Sequence, residues 1–139
     1  MPDATEVKRR LFRAFNDHDM DGVLACYSPD AVLVTPAGVA EGHEQISWYY
    51  EHFLEAFTDL CITPWHMYQC GDVTVHEWTL MGTHNGPFLA PSGAVLEATG
   101  RQIVVRGAGV CAIARGKIIT NREYYDQLEL YAQLGRPPG

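Results

Sequence analysis

The chain has 139 residues, 47% of them apolar and 19% charged, with a formal net charge of −7. That length is the size of one domain, 1–139, and it buries enough surface to fold without staples. The acidic balance and scattered Lys and Arg exclude a phosphate-binding face and with it a nucleic-acid partner. No apolar run is long enough to span a membrane, and MPDATEVKRR holds no apolar signal core, so a soluble, cytoplasmic protein is expected.

Residues 3–16 are expected to form the first helix, opened by Asp3 and Glu6 at capping-box spacing. Val7, Leu11, Phe12 and Phe15 recur at helical spacing, and the basic cluster Lys8, Arg9, Arg10 and Arg13 is assigned to a solvated face. Residues 21–27 make a short second helix, with Val23, Leu24 and Tyr27 on one side. Ser28-Pro29-Asp30 is a turn, 31–35 a short strand and 36–42 a loop. The third helix, 43–57, carries a broad aromatic stripe that includes Tyr49, Tyr50, Phe53 and Phe57.

Two strands follow, 60–69 and 73–85, around Gly71-Asp72. The stretch 85–93, with Gly86, Pro87 and Pro91, predicts a mobile loop, and 94–99 an edge segment. A long strand over 102–114 is interrupted by Gly107 and Gly109, which predicts a bend, a bulge or a close approach by another group. After the Arg115-Gly116 turn, 117–125 predicts a strand and 127–134 a short final helix stopped by Gly135. Asp126 falls at their seam, either as a helix N-cap or as a catalytic carboxylate facing a cavity. Helices followed by a run of long strands predict an α+β fold, with helices on one face of a curved antiparallel sheet.

Several motifs are absent. The four cysteines never fall in CxxC spacing and predict small buried thiols. Gly107-x-Gly109-x-x-Ala112 lies inside a strand, opens no helix and is no dinucleotide fingerprint. The histidines never pair at ligand spacing, so no metal site is expected.

AFNDHDMDGVLACYSPDAVL, GVAEGHEQI, GTHNGPFLAPSG and GKIITNREYYDQLELYAQLG, in that order and spacing, resemble the SnoaL-like polyketide cyclase family of the NTF2-like superfamily. The resemblance runs from about Val7 to Gly135. It implies a cone: a strongly curved antiparallel sheet wrapped around N-terminal helices, with a deep cavity, in a homodimer. It also implies a cofactor-independent cyclase or isomerase in which Asp126 is acid and base in an intramolecular aldol closure. Related members hydroxylate, isomerise or hydrolyse epoxides, and some have no known chemistry.

The residues themselves point to an aromatic-walled pocket for a hydrophobic aromatic or polycyclic molecule, since apolar surroundings make a carboxylate a better base. Tyr27, Trp48, Tyr49, Phe53, Trp65, Trp78 and Tyr124 are the candidate walls. Strand alternation puts Arg122, Tyr124 and Asp126 on one face, so Arg122 is a candidate partner of the carboxylate or of the ligand. His84 is a candidate donor or proton shuttle, against an exposed strand-end histidine. Arg106 is assigned to the outer face of the sheet. The competing reading is a binding or assembly module with a vestigial cavity.

Overall fold

The computed structural model describes residues 3–90 and 92–135; Pro91, in the expected loop, lies outside them. The elements run α1 (Ala4–Asn16), α2 (Met20–Ala25), β1 (Tyr27–Thr35), β2 (Gly38–Glu41), α3 (Gly42–Ala56), β3 (Cys61–Cys70), β4 (Val73–Thr83), β5 (Phe88–Leu89), β6 (Val95–Leu96), β7 (Gln102–Ala114), β8 (Lys117–Tyr125) and α4 (Gln127–Gln133). This is the expected mixed α+β chain.

The main sheet has six strands in the order β2-β1-β8-β7-β4-β3. Its pairs are antiparallel except β1 with β8, which run parallel and join the first strand to the last. Bulges bend the sheet where β3 passes Trp65 and where β8 passes Ile119, because an extra residue on one strand increases local twist. Helix α3 packs on β1, and α1 on β3. The core joins Val7, Leu11 and Phe15 of α1 to Ile46, Phe53 and Phe57 of the third-helix region and to Leu33, Val105 and Ile118 of the sheet.

Three local readings are corrected. Tyr27 opens β1 rather than closing α2, so Ser28-Pro29-Asp30, expected as a turn, lies inside the strand; buried, Tyr27 sits in the sheet opposite Ile118. Residues 36–42 are not all loop, because β2 pairs with β1 through a turn at Thr35–Gly38. The stretch 85–93 contains β5, and Phe88 anchors it among His52, Phe53 and Phe57, with β6 as its partner. Of the cysteines, Cys26 and Cys111 are buried as expected, but Cys61 and Cys70 at the ends of β3 are exposed. Among the described residues no helix is long and apolar enough to cross a membrane.

Candidate functional site

Two adjoining cavities lie between the helices and the sheet. The inner one, about 80 Å³, is walled by α1 and α3 aromatics, Trp78 and Leu80 of β4, and Glu123 and Tyr125 of β8. The outer one, about 490 Å³, is bordered by Val39, Trp48, His52, Phe88, Leu89 and Tyr131, among others. They share Leu33, Thr35, Tyr49, Phe53, Tyr125 and Leu130, so Tyr49 and Tyr125 stand at the neck between them. Their hydroxyls are 3.5 Å apart.

The inner cavity carries a charged cluster. Lys8 of α1 is only 1% exposed, which corrects its assignment to a solvated face. It sits four residues from both Ala4 and Phe12, on the buried stripe of the helix, rather than opposite it. Its Nζ donates to Glu123 Oε1 at 2.8 Å and to Asn121 Oδ1 at 3.1 Å, and stands 5.1 Å from the centre of the Phe12 ring. His76 Nε2 lies 2.6 Å from the same Glu123 oxygen, and Trp78 Nε1 donates to Oε2.

Burial alone would raise the Glu123 carboxyl, but the Lys8 ammonium and the His76 hydrogen bond outweigh it and bring it down to about 2. Burial and the Lys8 charge lower His76, so its ring is neutral and Nε2–H is the donor to Glu123. His76 Nδ1 then has no hydrogen-bond partner among the described residues.

The glycines of β7 make room for this cluster. Gly107 pairs with Trp78 and Gly109 with His76. A Cβ on Gly107 would meet the Trp78 ring; one on Gly109 would come within 2.5 Å of His76 Nε2 and 2.6 Å of Glu123 Oε2. The close approach expected at these glycines is therefore made by the site's own side chains.

A second string of polar groups leads away from Lys8. Asn121 Nδ2 donates to the Tyr27 hydroxyl at 2.9 Å, and that hydroxyl lies 2.7 Å from the hydroxyl of Tyr50, which lines the inner cavity.

The expected site residues are distributed as follows. Trp78 lines the inner cavity, Trp48 the outer one, and Tyr49 and Phe53 both. Tyr27 lies behind Tyr50 and reaches the cavity only through it. Trp65 is the bulged residue of β3; it turns to the outer face, 62% exposed, and donates to Thr79 Oγ1. Arg122 and Tyr124 also stand on the outer face and line neither cavity.

His84 is fully buried outside both cavities. Its Nδ1 accepts from the Thr99 backbone N–H at 3.3 Å, and it fastens the base of the β5–β6 hairpin. Asp126 is exposed, lies outside both sets of walls and accepts from Leu128 N–H at 2.9 Å as the N-cap of α4. Its capping geometry predicts that Asp126→Asn leaves stability within ~0.5 kcal/mol, while Asp126→Ala lowers it by ~1 kcal/mol in chemical denaturation.

The unpredicted members are Lys8, His76, Asn121 and Glu123. A lysine on the apolar stripe of α1 is the signal that could have found the first. Two strand glycines cross-strand from a histidine and a tryptophan could have found the second.

The SnoaL-like domain model matches residues 9–121. The chain belongs to the SnoaL-like domain family. Lys8 and Glu123 fall just outside the matched residues. IdmH, a candidate polyketide cyclase from Streptomyces antibioticus, is similar at 25% identity and a TM-score of 0.80, over 95% of this chain and 98% of that one. A candidate SnoaL-like polyketide cyclase from Jannaschia sp. CCS1 shares the fold at 24% identity and a TM-score of 0.84, over 97% and 93% of the two chains. AclR, a candidate hydroxylase from Streptomyces galilaeus, shares it at 21% identity and a TM-score of 0.83, over 97% of each. No curated protein matches the chain. The SnoaL-like family thus supplies the expected fold, and its structural relatives carry names from more than one chemistry.

Proposed function

We propose that this chain is a cofactor-independent enzyme of the cyclase or isomerase type, which enolises a carbonyl group of a hydrophobic, aromatic polyketide-like molecule. Glu123, rather than Asp126, is the general base. One observation carries the reading: a largely buried carboxylate, held ionised beside a buried ammonium group, forms part of the wall of an aromatic cavity.

A carboxyl titrating near 2 is a weak base at rest. Its strength at the moment of reaction is another matter. When Glu123 takes an α-proton, the C–H electron pair becomes the enolate double bond and negative charge gathers on the carbonyl oxygen. Lys8 has three N–H groups, two of them committed to Glu123 and Asn121. The third is available to that oxygen. Proton transfer therefore exchanges one ion pair for another at the same ammonium group, instead of stranding it. The enolate carbon then attacks a second carbonyl, which closes a ring, or is reprotonated elsewhere, which isomerises the molecule. In either case Glu123 returns its proton. The outer cavity, with Trp48, His52 and Phe88, accepts the aromatic body of the ligand.

The test needs no knowledge of the natural substrate. The protein in deuterated buffer should accelerate α-proton exchange of aryl methyl ketones and aryl 1,3-diketones, read by NMR. Ligands that quench tryptophan fluorescence on binding but never exchange would leave a binding module, not an enzyme.

The same reading includes a homodimer through the outer face of the sheet. Val75, Met81, Val104, Val110 and Tyr124 are exposed there, an apolar surface suited to a second copy. Sedimentation should show a dimer at micromolar concentration, and Val104→Glu should shift it toward monomer; a monomeric wild type removes this part.

A further inference from the structure

We infer that the Tyr50 hydroxyl is a second hydrogen-bond donor to the ligand's carbonyl oxygen, and that Asn121 and Tyr27 set its direction. The chemistry of this role rests on the enolisation reading; the direction of the bonds does not.

The order of donors follows from the one group in the string that can only donate. Lys8 Nζ has no lone pair, so the Asn121 atom facing it at 3.1 Å is the carbonyl oxygen. The other end of the amide, Nδ2, then donates to the Tyr27 hydroxyl at 2.9 Å. The buried Tyr27 O–H has no acceptor among the described residues other than the Tyr50 oxygen at 2.7 Å, so it donates there. The Tyr50 O–H is left over. Tyr50 lines the inner cavity along with Lys8 and Glu123, and its hydroxyl has no acceptor of its own among the described residues.

The polar string thus starts on a charge and ends on a free donor. Each link polarises the next, so Tyr50 is a stronger donor than an isolated phenol. Burial raises the Tyr50 phenol well above its ordinary range, so it keeps its proton throughout the neutral range. The bond received from Tyr27 acts the other way, as a donated hydrogen bond should. Tyr50 is a catalytic residue by contact with the substrate; Tyr27 and Asn121 are positioning residues.

The test is isotope-edited infrared spectroscopy of acetophenone labelled with ¹³C at its carbonyl, bound to the wild type, Tyr50→Phe and Tyr27→Phe. In the wild type the carbonyl stretch should lie well below its value in hydrocarbon solvent. Tyr50→Phe should move it back up and weaken acetophenone binding about three- to tenfold, the worth of one net hydrogen bond. Tyr27→Phe keeps the Tyr50 hydroxyl but removes the bond feeding it, and should move the stretch part of the way. Ethylbenzene, which has the same shape without the carbonyl, should bind all three alike.

A stretch unchanged by Tyr50→Phe overturns the assignment. So does a Tyr50→Phe loss shared equally by ethylbenzene, which marks a packing role. Failure of the enolisation reading looks different: the wild type shifts the carbonyl but exchanges no α-proton, and Tyr50 remains the donor.

Discussion

Glu123→Gln is expected to slow α-proton exchange by roughly two to four orders of magnitude, the usual worth of a positioned general base. Glutamine keeps the size of the side chain and one oxygen that can accept from Lys8 and His76. It has no basic carboxylate. Affinity for aryl ketones should change little, because Phe15, Phe53, Trp78 and Leu80 still wall the inner cavity. Exchange rate and fluorescence titration on the same preparation separate the two effects. Asp126→Asn under identical conditions is the comparison that matters. If it, and not Glu123→Gln, abolishes exchange, the base is the capping aspartate that the family resemblance names.

The second large effect is on folding. Lys8→Met leaves the Glu123 carboxylate buried with neutral donors only, and breaking a buried pair from one side costs about 3 to 5 kcal/mol. The double variant Lys8→Met/Glu123→Met removes both charges and should recover most of that loss, because apolar side chains of similar volume replace buried ion pairs well. The single effects will not add. The pH sign is fixed by the depressed carboxyl. Glu123 stabilises the fold above its unfolded value of 4.5, and that contribution is lost as pH falls towards about 2. The double variant should have lost this part of its acid sensitivity. Denaturant melts between pH 2 and 6 check both statements; a double variant as unstable as Lys8→Met would show that shape, not charge, dominates the site.

Much of the fold was legible because periodicity and turn chemistry agreed along the chain. The Asp3 N-cap, the aromatic face of α3 and the Gly116 turn all lie where local rules put them. The site was harder for a definite reason. Strict alternation from buried Ile118 would send residues 120, 122, 124 and 126 inward. The bulge at Ile119 switches the parity, so Asn121, Glu123 and Tyr125 face the interior while Arg122 and Tyr124 face out. Arg122 and Tyr124 do share one face, as alternation expects, but it is the outer one, and Glu123 between them points in. Trp65 was named for its aromatic ring alone, and as the bulged residue of β3 it faces out. Lys8 was hidden differently: among three arginines it reads as solvated, and only its partners on β8, more than a hundred residues away, make its burial tolerable.

The vacancy at Gly109 has a consequence for how relatives of this chain are compared. Function is usually transferred between related sequences by checking that reactive side chains are retained. Here a chain could retain Lys8, His76 and Glu123 and still lack a working site, because a methyl group at position 109 would occupy the space where the imidazole and the carboxylate meet. The diagnostic column of an alignment would then be one that holds no functional group at all. An alanine at that column would press on His76 Nε2 and Glu123 Oε2 even where both are retained.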